Sequence, residues 1–149
     1  MEPIDLVALA LLCDAVFDGD PTDRDLDPEL FAIVEEADAL ALWRFGHVDH
    51  VSVALEVIPP PACRALVLLT AGWSAPLDPD IADDSRPRPS LHPDRRRVFS
   101  TTVIGNDGEI VTAMRTAGEI EPQLLTGECY GRVPAALRRC WARRRPEAA

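Results

Sequence analysis

The sequence predicts an α+β protein in which two N-terminal helices and a short C-terminal helix pack on a mostly antiparallel sheet of about four strands. Two patterns lead to this prediction. Apolar side chains recur at helical spacing over residues 4–17 and 28–45, whereas several segments between residues 51 and 115 alternate or run apolar and are separated by turn or loop residues. The 149 residues show no internal repeat and no boundary, so we expect a single α+β domain over residues 1–149.

The two N-terminal helices are predicted from apolar spacing and from capping residues. Residues 4–17 are apolar nearly all round, so the first helix should be largely buried. A second helix should begin after Asp27 as its N-cap, with Pro28 and Glu29 in its first turn, and should end near Gly46. Its inner face would comprise Leu30, Ile33, Val34, Ala37, Leu40 and Ala41, and its outer face Glu35, Glu36 and Asp38.

The sheet is predicted from β-branched alternation, buried apolar runs and turn residues. Val51–Ile58 alternates, and Arg64–Trp73 is a near-continuous apolar run, which is typical of a strand buried on both faces. Val98–Gly105 and Glu109–Arg115 flank Asn-Asp-Gly, which predicts a hairpin. A short edge strand is expected around Gln123–Leu125.

Two further segments complete the predicted domain. Ser74–Arg97 is rich in Pro, Asp and Arg and lacks a hydrophobic period, so it should be a long loop, and loops of this length are usually functional or disordered. A short helix should begin at Pro134 and bury one face, formed by Val133, Ala136, Leu137, Cys140 and Trp141.

The net charge of −10 is concentrated in the N-terminal third. Residues 1–50 carry thirteen acidic side chains against Arg24 and Arg44, a net charge of −11. Such a surface repels phosphates, which argues against nucleic acid or an anionic membrane there and suits a basic protein partner, a cation or simple solubility. All fifteen basic residues are Arg, which fits either codon use in a GC-rich genome or selection against lysine modification.

The sequence indicates a cytoplasmic protein without a cofactor. The apolar run Val7–Cys13 follows acidic residues instead of the positive charge of a signal peptide, and it is far shorter than the roughly 20 residues that span a bilayer. The four cysteines, Cys13, Cys63, Cys129 and Cys140, form no CxxC pair and have no zinc-ligand spacing. Cys13 and Cys140 fall on apolar helical faces, so we expect these two to be buried thiols, and we infer a reducing compartment. No Gly-rich phosphate loop or other cofactor motif is present.

The segment DGDPTDRDLDPE, residues 18–29, gathers six acidic residues and invites comparison with an EF-hand loop. Its EF-hand ligands would be Asp18, Asp20, Thr22 and Glu29, at positions 1, 3, 5 and 12. Position 6, however, is Asp23 where the turn requires Gly, and two prolines stiffen the loop. We therefore favour a connector that caps the second helix over a divalent-cation site.

A small hydrolase or transferase is an alternative that rests on scattered polar residues. GHVDH, residues 46–50, resembles part of the HxHxDH signature of metallo-β-lactamase-type hydrolases, although the first His is missing. The chemistry would come from His47, Asp49, His50 and His92, or from Cys63, in a cleft near the 74–97 loop. No catalytic residue can be assigned unless these side chains converge.

The leading hypothesis is a small cytoplasmic, bacterial-type accessory or regulatory protein that binds another protein. Its acidic N-terminal helical surface would be the docking site for a basic partner, through Glu35, Glu36 and Asp38. The hydrolase is the second hypothesis, and a cation-modulated binding module through residues 18–29 is the third. The sequence does not indicate an oligomeric state.

Overall fold

A single antiparallel sheet with one helix on each face organises the protein. The computed structural model describes residues 2–16, 28–37, 39–47, 60–76, 79–82, 85, 88–127 and 132–145. The elements in these ranges are α1 (Leu6–Val16), β1 (Glu29–Glu36), β2 (Ala39–His47), β3 (Ala65–Ser74), β4 (Arg96–Gly105), β5 (Glu109–Thr116), β6 (Gln123–Leu125) and α2 (Arg132–Ala142). The strand order is β2-β1-β3-β4-β5-β6, and every neighbouring pair is antiparallel.

The predicted architecture is wrong in its N-terminal half and in its strand number. The segment predicted as a second helix is the hairpin β1–β2, and the sheet has six strands instead of about four. Within the described ranges there are two α-helices, one before and one after the strands. The protein is therefore dominated by strands.

Burial on both faces explains why the apolar pattern of the β1 sequence was interpreted as that of a helix. Four consecutive residues, Leu30 to Ile33, are buried because β1 lies between β2 and β3 and has a helix-covered core on each side. A strand buried on both faces has a continuous apolar run, which by spacing alone also matches a helical face. Whether such a segment forms a strand or a helix therefore depends on tertiary partners that are distant in sequence, here the neighbouring strand β3.

The first face of the sheet packs against α1. Alternate residues of β3, Ala65, Val67 and Leu69, share a buried cluster with Leu6, Ala10 and Cys13 of α1. The helix is apolar nearly all round, but only one side is covered by described residues. Its other side exposes Leu11, Leu12 and Val16, at 38%, 60% and 64%. The prediction that this helix is largely buried is thus wrong, because one face is buried and the other is exposed.

The second face of the sheet packs against α2. The intervening β3 residues, Leu66 and Leu68, join a separate buried cluster with Leu137 and Cys140 of α2. The predicted inner face of this helix is confirmed except at Val133, which is exposed. The end of the helix is tied to the segment before β3, because the Arg145 backbone N–H donates to the Pro60 carbonyl at 3.0 Å.

Most of the remaining strand predictions are confirmed. The apolar run at 64–73 is β3, the Asn-Asp-Gly segment joins β4 to β5, and Gln123–Leu125 is the edge strand β6. In the described parts of residues 75–95 there is no strand, and a 3₁₀ helix occupies Pro89–Leu91. The predicted strand Val51–Ile58 lies outside the described residues. Neither of the helices described is long and apolar enough to cross a membrane.

Candidate functional site

Two of the three predicted partner-binding residues, Glu35 and Glu36, lie on a β-hairpin, not on a helix. Glu35 and Glu36 are the last two residues of β1, and Asp38 lies outside the described residues. Ala37, which follows β1, has a φ of +46°, a left-handed conformation that is unfavourable for a residue with a Cβ. Glu35 and Glu36 therefore lie at the end of β1, next to the tip of the hairpin.

Exposed leucines lie beside these acidic residues. Leu40 pairs with Glu35 across the hairpin and is 52% exposed, and Leu42 pairs with Ile33 and is 41% exposed. Glu35, Leu40 and Leu42 share one face of the hairpin, and Glu36 follows Glu35 on the opposite face at the end of β1. We call these four residues the hairpin surface. Its second strand, β2, is first in the strand order, so among the described residues no strand pairs with its outer edge.

An ion pair connects the hairpin surface to the start of the chain. The Arg64 Nη1 donates to Glu35 Oε2 at 3.3 Å, and Arg64 Nη2 donates to the Glu2 carbonyl at 2.6 Å. The Arg64 side chain is 16% exposed, whereas that of Glu35 is 51% exposed. The Glu35 carboxylate is therefore accessible to solvent although it is paired with Arg64.

Arg64 also lines a cavity at this end of the sheet. The cavity has a volume of about 330 Å³ and is formed by four segments that are distant in sequence: the chain start, the residues before β3, the β4–β5 turn and the end of α2. Its lining residues are Glu2, Pro3, Cys63, Arg64, Asn106, Asp107, Trp141 and Arg144.

One wall of the cavity is a stacked pair from α2 and the residues after it. The Arg144 guanidinium lies over the Trp141 ring, 3.6 Å from its centroid, and Arg144 Nη1 donates to the Trp141 carbonyl at 2.9 Å. Stacking and this hydrogen bond fix the plane of the guanidinium.

The facing wall is held by Asn106 in the β4–β5 turn. Its side chain bonds the Ile4 backbone twice, since Oδ1 accepts from the Ile4 N–H at 2.9 Å and Nδ2 donates to the Ile4 carbonyl at 3.0 Å. Asn106 has a φ of +53°, a conformation that Asn adopts more readily than most residues. The turn thereby fastens the chain start beside the cavity.

Burial of Cys63 disfavours the thiolate that the cysteine version of the enzyme hypothesis requires. Burial raises the pKa of Cys63 to about 11, although the nearby Arg144 partly opposes this shift. A nucleophilic cysteine requires the thiolate, which is scarce near neutral pH for such a group. Burial likewise raises the pKa of Cys13 to about 11 and raises that of Cys140.

Of the residues proposed for a His/Asp active site, two lie within the described part of the chain and two lie outside it. His47 is the last residue of β2, and Asp49 and His50 lie outside the described residues. His92 lies in the loop before β4, where its Nδ1 accepts a hydrogen bond from the Asp94 backbone N–H at 3.0 Å. Among described side chains, no three His, Cys, Asp or Glu residues are arranged to hold a metal ion.

The EF-hand hypothesis loses its helix–loop–helix context. Asp18, Asp20 and Thr22 lie outside the described residues, and Glu29 begins β1, with backbone partners on β2 and β3. Asp27 also lies outside them, and the helix that it was predicted to cap is a strand. Cation binding by residues 18–29 stays a prediction without the second helix of an EF-hand.

Sequence reasoning missed an aromatic–arginine cluster at the opposite end of β3. The guanidinium carbons of Arg95 and Arg97 lie 5.0 and 4.9 Å from the ring centroid of Trp73, which is 39% exposed. Trp73 is directly opposite Arg97 in the β3–β4 register. The run of arginines at 95–97 was visible in the sequence, but only this register shows which side chain they meet.

Comparison of the chain with protein-family models, with curated proteins and with solved structures found no match.

Proposed function

We propose that this protein is a small accessory or regulatory protein that acts by binding another protein, and that the partner docks on the hairpin surface. The observation that carries the proposal is the presence of two exposed leucines, Leu40 and Leu42, on an edge hairpin where Leu40 lies directly opposite the acidic Glu35. Large apolar side chains bordered by charge are a usual composition for a docking site.

The partner that fits this surface is basic and carries apolar side chains. Residues 1–50 have a net charge of −11, so a basic protein would be drawn to this part of the molecule, and its association would weaken as salt is added. An extended segment could align with the outer edge of β2 and place alternate side chains on the leucines.

A reducing, cytoplasmic setting is part of the same proposal. Its support is that Cys13, Cys63 and Cys140 are free thiols buried in the two cores. Free buried thiols are usual in proteins that function where disulfides do not persist.

Affinity capture with charge-reversed and leucine variants tests the docking site. The full chain is immobilised, and partners are captured from the native cell by the unaltered protein, by Glu35→Lys/Glu36→Lys/Asp38→Lys and by Leu40→Ser/Leu42→Ser. Both variants should lose the same basic partner, because one loses electrostatic attraction and the other loses buried apolar area.

The other edge of the sheet supplies a matched control. Leu124 and Leu125 on β6 are 38% and 39% exposed, close to the exposure of Leu42. Leu124→Ser/Leu125→Ser should capture the partner as well as the unaltered protein does. Unchanged capture by both hairpin variants, or equal loss in the β6 control, would remove the hairpin surface as the docking site.

A further inference from the structure

We propose that the cavity beside Arg64 binds a small zwitterion, a molecule that carries one carboxylate and one ammonium group, as free α-amino acids do. The site is independent of the proposed protein partner. It is assembled from side chains that the proposed docking does not use, apart from the contact between Arg64 and Glu35.

The size of the cavity suits such a ligand. Its volume of about 330 Å³ lies at the lower end of the range of roughly 300–1,000 Å³ that is typical of small-molecule sites. The Pro3 ring and the Trp141 indole supply apolar wall, and most of the other lining residues are charged or polar. A small ligand with polar ends and a short carbon chain matches this lining.

Two guanidinium groups offer donors for a carboxylate. A guanidinium has five N–H groups, of which Arg144 uses one on the Trp141 carbonyl, and Arg64 uses Nη1 and Nη2 on Glu35 and the Glu2 carbonyl. Within the described part of the chain, the remaining N–H groups of both arginines have no acceptor. Because Arg144 is stacked on Trp141, its donors are held in place before a ligand arrives.

Two carboxylates offer acceptors for an ammonium group. Glu2 and Asp107 line the same cavity, and neither carboxylate has a hydrogen bond or ion pair with any described residue. Asp107 follows Asn106, whose side chain is hydrogen-bonded to the backbone of Ile4. These bonds join the β4–β5 turn, which contains Asp107, to the N-terminal segment that contains Glu2.

The balance of charge selects a zwitterion over a simple ion. The cavity is lined by two arginines and two carboxylates, and Glu35 already offsets part of the charge of Arg64. A simple anion would be attracted by the guanidinium groups but repelled by Glu2 and Asp107, and a simple cation would meet the reverse. Only a ligand with both charges can pair with both sets.

Three probes that share a carbon chain test this selection. L-Norvaline carries both charges, pentanoate is norvaline without its ammonium group, and butylamine is norvaline without its carboxylate. Titration calorimetry and thermal shift with the full chain should show saturable binding of norvaline, about tenfold or more tighter than binding of either other probe, since each charge-assisted contact adds roughly that factor.

Two variants assign the charges to residues. Arg144→Met should weaken norvaline binding by about tenfold or more and should not weaken butylamine binding, because the substitution removes a charge that repels an ammonium group. Asp107→Asn should reduce the preference for norvaline over pentanoate, since Glu2 is then the one remaining carboxylate in the cavity lining. Arg95→Met, at the opposite end of β3, is the control and should bind all three probes as the unaltered protein does, and melting curves without ligand verify that each variant folds.

Several outcomes would overturn the proposal. Pentanoate binding as tightly as norvaline would identify an anion site, and butylamine binding as tightly would identify a cation site. No saturable response to norvaline in the folded protein would show that the cavity takes no ligand of this class. A loss in Arg95→Met equal to that in Arg144→Met would place the binding elsewhere.

Discussion

Asp14 of α1 and Arg115 of β5 form an ion pair that connects the helix to the sheet. The Asp14 carboxylate accepts hydrogen bonds from two nitrogens of the guanidinium, Nε at 3.4 Å and Nη2, and Arg115 Nη1 donates to the Ile120 carbonyl. Asp14 is buried on the inner side of α1, at 2% exposure, and Arg115 retains 21%. The helix is thus held to the sheet by a buried charge as well as by apolar contact.

Removing one partner of this pair should destabilise the fold strongly. Asp14→Ala would leave the Arg115 guanidinium near the core without its carboxylate, and the free energy of unfolding should fall by roughly 3–5 kcal/mol. Chemical denaturation measures the change. Glu119→Ala breaks the exposed Arg96–Glu119 pair, whose side chains are 49–52% exposed, and should cost less than about 1 kcal/mol. Equal losses in the two variants would show that burial does not set the strength of the pair.

The buried thiols should make stability fall at alkaline pH. Burial raises the pKa of Cys13 and of Cys63 from the ordinary value of 9.0 to about 11, so between these values the unfolded chain releases protons that the folded protein retains. The contribution is complete below pH 9 and is lost as the pH rises towards 11, by up to about 1.4 kcal/mol per pH unit for each thiol.

Denaturation at several pH values under reducing conditions measures this slope. Cys13→Ala should have a shallower decline than the unaltered protein between pH 9 and 11, whatever its stability at pH 7. An identical slope would mean that the Cys13 thiol titrates alike in both states.

Gly105, the last residue of β4, should not tolerate a side chain. A Cβ there would lie 2.9 Å from Leu6 Cδ2 and 3.1 Å from the Arg64 carbonyl oxygen, so the Leu6 side chain would have to turn away and the backbone at Arg64 would have to move by a few tenths of an ångström. Gly105→Ala should lower the free energy of unfolding by about 1–3 kcal/mol. Gly72→Ala is the matched control, since a Cβ there meets nothing within 4 Å, and it should be neutral or slightly stabilising. A neutral Gly105→Ala would contradict the close approach.

Relieving the left-handed conformation at the hairpin tip should stabilise the protein. Ala37 has a φ of +46°, and glycine adopts this conformation without a Cβ penalty, so Ala37→Gly should raise the free energy of unfolding by up to about 1 kcal/mol. Thermal and chemical denaturation test this. Ala37→Pro, whose φ is fixed near −65°, should destabilise the same turn. A destabilising Ala37→Gly would show that the alanine side chain makes a contact that outweighs its strain.

Local signals were sufficient for several elements of this protein. The turn residues Asn106 and Gly108 both have positive φ, as the Asn-Asp-Gly segment predicted, and the apolar face of α2 is buried as its spacing required. These predictions succeeded because a turn or an amphipathic helix is specified by residues that are near one another in the chain.

The sequence by itself also predicted that these acidic residues are exposed, but it assigned them to a helix and placed Leu40 on the buried face of that helix, whereas Leu40 is 52% exposed on β2. Glu35 and Glu36 are exposed as predicted, yet they belong to β1, because Leu30–Ile33 is buried between β2 and β3 by partners that spacing does not identify.

The Trp73–arginine cluster and the cavity beside Arg64 are apparent only in the tertiary structure. Trp73 meets Arg97 through the β3–β4 register, and the cavity joins Glu2 to Arg144, which lie near opposite ends of the chain. Convergence of this kind follows from strand order and from the placement of a helix on each face. Both are set by long-range burial of apolar surface, which local sequence patterns do not encode.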